Sequence, residues 1–170
     1  MVFLAATLGA ADRTTVGEYQ LKAAFIFNFT KFVEWPPQAF GDPRDPFSIC
    51  LAGDNPLGSS LDDEVRGKTV GSRPISIRLV SNAQEARKCQ ILYVPASEHK
   101  REHSLLDALQ GASVLTVGDA NDFTKDGGIV QLRQIDAHIR IELVPEAAER
   151  ANLRISSKLL SLATLERHPL

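Results

Sequence analysis

Alternation of strands with helix-length connections is the feature of this chain that leaves the fewest folds open. Six short apolar runs, rich in β-branched residues and bounded by turn formers, read as strands: FSICLA (47–52), ISIRLV (75–80), QILYVP (90–95), SVLTV (113–117), GIVQLR (128–133) and HIRIEL (138–143). The first four are separated by segments long enough for crossover helices, which parallel neighbours require. One such segment, 97–110, sets Leu105, Leu106 and Leu109 in a narrow stripe on an otherwise charged helix. Only QIDA joins the last two runs, too short for a crossover, so these pair as an antiparallel hairpin at one end of the sheet. The expected fold is α/β: a mostly parallel sheet of about five to six strands flanked by helices, a Rossmann- or flavodoxin-like three-layer sandwich with a terminal antiparallel hairpin.

Helices close both ends of this pattern. Thr15 and Glu18 have capping-box spacing, and Leu21, Ala24, Phe25, Phe29, Phe32 and Val33 then recur with helical period, predicting a helix over about 17–34 that Pro36 and Pro37 stop. Ile26 and Phe27 widen the stripe beyond what one sheet face covers, so the helix is expected to be buried on a second side too, by its own sheet or by another copy in a homodimer. At the far end Ser156 or Ser157 caps KLLSLATL, with Leu159, Leu160 and Ala163 toward the core.

Composition excludes several function classes. A chain of 170 residues, 44% hydrophobic and 24% charged, suits one globular domain with a sizeable core. A formal charge of −2 and a pI near 6.1 give no field for drawing in nucleic acid or an anionic membrane. The start, MVFLAATLGAADR, is apolar from Val2 to Leu8, and Gly9 and Ala11 occupy the −3 and −1 positions of a cleavage before Asp12, although no basic n-region precedes them. Residues 1–11 are therefore expected to be a signal-peptide remnant and 12–170 a single domain, soluble once exported.

Chemistry-bearing motifs are sparse. HKREH (99–103) has the H-x-x-E-H order of one class of zinc peptidase, with His99 and His103 on one helix face. No third ligand stands at a recognisable spacing, and the segment reads as a solvated face, so no metal site is assigned. RGKTVG (66–71) ends like a P-loop but has Asp62 where a glycine is needed, and it precedes a strand instead of following one; it reads as a surface turn. There is no G-x-G-x-x-G and no G-x-S-x-G, so no catalytic residue and no cofactor is assigned. Asp54 and Asp119 both follow strands, where open α/β sheets keep their binding crevice. A strand-end pocket for a small ligand, or a hydrolytic site using these two and His138, is the alternative to a non-enzymatic role; the plain reading is that Asp54 opens a turn and Asp119 caps a helix.

Two cysteines bear on the compartment. Were the first three strands in the order 2-1-3, the strand holding Cys50 would lie beside the one beginning at Cys89. In an exported protein such a pair oxidises; in a cytosolic one it stays as two buried thiols.

Taken in order, YQLKAAFIFNFTKFVEWP, FSICLAGDNPLG, CQILYV, VLTVGD…F…GGIVQL and LRISSKLLSLA resemble the YfiR-like family (DUF4154) over about residues 18–166. The resemblance implies a periplasmic, dimeric, non-enzymatic α/β regulator that binds the periplasmic portion of a membrane-bound diguanylate cyclase, lowering cyclic-di-GMP and biofilm formation, with an outer-membrane lipoprotein as a competing partner. It also implies that Cys50 and Cys89 are bonded. A second, C-terminal cysteine pair of some relatives is absent, and Val144 stands where the family usually has asparagine. Within HIRIEL, His138, Arg140 and Glu142 alternate onto one polar strip, and Arg154 lies between Leu153 and Ile155 near the same end. Glu142 and Arg154, with Val130 as an apolar floor, are the expected partner-binding residues.

Overall fold

Runs that are apolar at every position become the strands buried on both faces. The computed structural model describes residues 10–166, so the expected signal remnant lies almost wholly outside the described residues. In chain order the elements are α1 (Ala10–Phe32), β1 (Val33–Glu34), β2 (Phe47–Ala52), α2 (Ser59–Val65), β3 (Thr69–Val70), β4 (Arg73–Val80), α3 (Ala83–Ala86), β5 (Ile91–Val94), α4 (His99–Ala108), β6 (Leu115–Gly118), β7 (Val130–Ile135), β8 (His138–Leu143), α5 (Pro145–Arg150), β9 (Arg154–Ile155), α6 (Ser157–Leu162) and β10 (Thr164–Leu165). The main sheet runs β10-β8-β7-β6-β5-β2-β4-β3, with β7–β8 and β3–β4 antiparallel and the other pairings parallel. Every residue of β2, β5 and β6 is buried, as a parallel sheet covered on both faces requires.

The two faces build two cores. Ile49, Leu51, Ile91, Tyr93, Leu115 and Val117 pack beneath Ile26 and Phe29 of α1 and Leu61 of α2. On the opposite face Cys50, Leu92 and Val94 meet Ala86 of α3 and Leu106 and Leu109 of α4. This is the expected α/β sandwich, and the long strands have the expected 2-1-3 start, with β2 between β4 and β5. Cys50, opposite Leu92 in the register, is bonded to Cys89 just before β5, with Cα atoms 6.1 Å apart.

Where the structure departs from the sequence reading, short-range signals were outvoted. Backbone helix runs through Thr15 from Ala10, so the capping box does not start α1. The helix stops at Phe32, and Val33 and Glu34 swing out to pair with Ile155 and Arg154 of β9. The stripe facing the sheet is also turned: Ile26 and Phe29 are fully buried, Phe25 and Phe32 are partly buried, and Leu21 is 43% exposed. The β7–β8 hairpin is not the sheet's edge, because β10 lies alongside β8. RGKTVG is a turn followed by β3, whose hairpin with β4 turns at Gly71 at a φ of +59°. Ser156 caps α6 as expected, its Oγ accepting from the N–H of Leu159 at 3.2 Å. Val144 stands at the N-cap of α5, offers no side-chain cap, and is buried instead.

The bond closes a separation of 39 residues, worth roughly 4 kcal/mol in the chain-entropy treatment. Cys50→Ser is expected to lower the Tm by about 8–16 °C, read by circular dichroism, and saturating reductant should reproduce the shift in the wild type but not in the variant.

Candidate functional site

Lys22 sits on the apolar stripe of α1 and is only 3% exposed. A buried ammonium needs anions, and the fold brings it two. Glu18, one turn back on the same helix, bonds to it, and Asp119, immediately after β6, accepts its proton through Oδ2 at 2.6 Å. The Tyr93 hydroxyl of β5 donates to the same oxygen at 2.6 Å, and the backbone N–H of Ala96 donates to Oδ1 at 2.7 Å. The cluster lies at the carboxyl ends of β5 and β6, the position at which sheets of this class form ligand crevices.

Its chemistry is that of a lock. Burial pulls the Lys22 pKa down, but the hydrogen bonds it donates to Asp119 and then to Glu18 outweigh that and leave the group above the usual lysine value, so it stays protonated. Burial, with the Asp119 charge behind it, raises the Tyr93 phenol, which therefore keeps its proton. Neither group supplies a base or nucleophile near neutral pH.

The segment 119–128 that carries Asp119 is anchored again by Phe123. Its fully buried ring lies where a Cβ on Gly118 or on Gly128 would overlap it, so both glycines are required by space and not by φ. Thr124 donates its N–H to Gln131 Oε1 at 3.4 Å and its hydroxyl to Glu166 at 3.0 Å. Asp126 comes beside α4, where His99 and Glu102 meet it with one ligand atom from each within 4.8 Å of the others. Glu102 is 1% exposed, and neither carboxylate oxygen has a hydrogen-bond partner. Burial foremost, opposed by His99 and reinforced by Asp126, pushes its pKa up to about 7. His103 does not join His99; it faces Asp107 at 3.5 Å.

The other residues singled out in the sequence separate. Asp54 is exposed, with Oδ1 on the N–H of Asn55 at 2.8 Å, the turn-opening role of the plain reading. Asp119 caps no helix after itself; its Oδ1 takes the first N–H of the short helical turn Ala96–Glu98, so that it ties α1, β5 and that turn together. His138 is exposed at the start of β8. Val130 is fully buried in the core beneath α1, on the sheet face opposite Glu142, so it is not the apolar floor expected for that surface. Glu142 is 7% exposed and grips Arg133 at 3.0 and 3.1 Å through Nε and Nη2. Arg154 is exposed and stands 3.8 Å from Glu34 across the β1–β9 pair. Lys22 and Tyr93 were missed in the sequence; a lysine four residues after Glu18 and four before Ile26, on an apolar stripe, was the available signal.

Three consequences can be measured. Lys22→Met strands two carboxylates and is expected to cost about 3–5 kcal/mol in urea unfolding, part of it recovered by adding Asp119→Asn. Gly118→Ala or Gly128→Ala should cost about 1–3 kcal/mol by displacing the Phe123 ring. Gly17→Ala in α1, where a Cβ meets nothing within 4 Å, should be neutral or stabilising by up to about 1 kcal/mol.

Comparison with known proteins places this architecture. The crystal structure of a conserved domain protein from Vibrio cholerae superposes with a TM-score of 0.58 at 12% identity, covering 88% of this chain and 60% of that one. The ABC domain from Streptococcus pneumonia, solved in complex with L-Trp, gives 0.53 at 10% identity, covering 87% and 60%. At these identities the likeness is one of fold, and the chain spans 60% of the length of each. No curated protein matches the sequence. A family model described as YfiR/HmsC-like matches residues 19–164, and the chain belongs to that family.

Proposed function

We propose that this protein is a non-enzymatic periplasmic regulator that binds the periplasmic portion of a membrane-bound diguanylate cyclase and represses cyclic-di-GMP synthesis and biofilm formation, with an outer-membrane lipoprotein as a competing partner. The family match over residues 19–164 carries this reading. The Cys50–Cys89 bond suits an oxidising compartment, and no helix among the described residues is long and apolar enough to cross a membrane. The strand-end cluster supports a binding role over catalysis, since its cation, hydroxyl and carboxylate are committed to one another. The alternative, a small ligand held by Asp54 and Asp119, would have to displace three hydrogen bonds that the protein already makes to Asp119.

We place the partner surface where β8 and β9 present charge: the Arg133–Glu142 pair and the exposed Arg154. The homodimer we place on α1, through Leu21, Phe25 and Phe32.

Deleting the gene should raise cellular cyclic-di-GMP and biofilm, and the wild-type gene should reverse both. Glu142→Lys and Arg154→Glu, shown folded by circular dichroism, are each expected to weaken binding to the cyclase's periplasmic portion by about 2 kcal/mol or more and to fail in the reversal. Deletion without any rise in cyclic-di-GMP contradicts the regulatory role. Sedimentation showing only an 18.6-kDa monomer at micromolar concentration contradicts the dimer.

A further inference from the structure

We propose that His99, Glu102 and Asp126 form a binding site for a divalent transition-metal cation, with zinc the best match to the donor set. The site is independent of the regulatory reading above.

The argument begins with Glu102. Its carboxylate is enclosed on α4, one turn before Leu106 of the second core, and both oxygens lack a hydrogen-bond partner. An enclosed carboxylate is costly unless a proton or a cation accompanies it. Two neighbouring basic side chains of α4 are engaged elsewhere: Arg101 bonds to Ser81 O at 2.7 Å and approaches Glu98 at 3.3 Å, and His103 turns to Asp107. Among the described residues no lysine or arginine pairs with Glu102; the nearest basic group is His99 Nδ1, at 3.9 Å from Oε1. What approaches from the other side is a second carboxylate, Asp126, carried by the 119–128 segment. Two acids converging on one imidazole repel each other, whereas a cation at their centre reverses the sign of every pairwise interaction.

The donor types narrow the cation. One imidazole nitrogen with two carboxylates suits borderline ions, zinc above all. Calcium takes six to eight oxygens and magnesium prefers oxygen and water in an octahedron, which a histidine-bearing triad does not offer. Donors around a tetrahedral zinc stand about 3.3 Å apart, as bonds of roughly 2.0–2.1 Å imply, so the 4.8 Å cluster must contract. His99, the first residue of α4 and 62% exposed in its side chain, is free to turn inward. Three protein ligands leave a fourth position on the exposed, His99 side for water or for a ligand from a partner.

The test uses the full chain, stripped with chelator and titrated with zinc by calorimetry and with cobalt by visible absorption. One equivalent is expected to bind with micromolar or better affinity, with four-coordinate cobalt bands. His103→Ala should leave both unchanged, while Glu102→Gln, Asp126→Asn and His99→Ala should each weaken zinc at least tenfold, with folding checked by circular dichroism. Asp126 lies in a loop and His99 is exposed, so those variants decide the matter if Glu102→Gln does not fold. Wild-type protein that takes up no zinc or cobalt at metal concentrations up to roughly 0.1 mM, or folded ligand variants that bind as the wild type does, would overturn the site and leave a proton shared by Glu102 and Asp126 as the occupant.

Discussion

A single carboxylate gathers the parts of this fold that the chain places far apart. Asp119 takes its bonds from α1, from β5 and from the turn that leads into α4. In doing so it fixes the helix from one end of the sequence over the strand ends in the middle of it. A buried ion pair of this kind is weak evidence for net stability, since desolvation consumes most of the Coulomb gain. Its value lies in discrimination: α1 is apolar around much of its circumference, and hydrophobic burial alone permits several rotations over the sheet. Only the orientation that delivers Lys22 to Asp119 avoids an unpaired buried charge, and that is the orientation in which Ile26 and Phe29 reach the core.

The segment after Asp119 extends the same logic to the other face. It leaves β6 at Gly118, returns at Gly128 to enter β7, and closes over a phenylalanine ring that no side chain at either glycine would admit. The ring holds the segment against α4, which is why Asp126 arrives beside Glu102. One short stretch thus presents one acid to α1 and another to α4, and the two differ in what the fold supplies opposite them. Lysine, tyrosine and a backbone amide complete the first; the second meets an exposed histidine and a further acid, Glu102.

The architecture was legible because its signals are periodic and long. FSICLA and HIRIEL have the same limits as runs of sequence and as strands, since burial of every residue in the one and alternation in the other leave little choice of boundary. The two-residue strands β1, β3, β9 and β10 carry no period, and they exist through partners that sequence does not place, as Val33 does opposite Ile155. The rotation of α1 was misjudged for a specific reason. Lys22 made the truly buried stripe look polar, while Leu21, Ala24 and Phe25 offered an apolar one; the deciding contact is with a residue 97 positions away. The candidate site suffered likewise: Asp119 was visible at a strand end, but its partners were not.

Charge on the far side of the sheet gathers on β7 and β8, beyond the core that α3 and α4 cover. Cys50, Leu92 and Val94 are shielded by α3 and α4, but the next strands on that face carry Gln131, Arg133, Arg140 and Glu142. A face left open to water can keep such residues without cost, yet here Glu142 is nearly enclosed and bound bidentately by Arg133, and Thr124 and Glu166 bond beside it. Pairing of this quality holds side chains in one geometry before any partner arrives, which removes part of the ordering cost that flexible surface charges meet on binding. For the partner surface proposed above, such preorganisation contributes more than added apolar area would. Arg154 differs from that strip: its backbone is fixed by β9, but its exposed side chain is held only by a loose approach to Glu34.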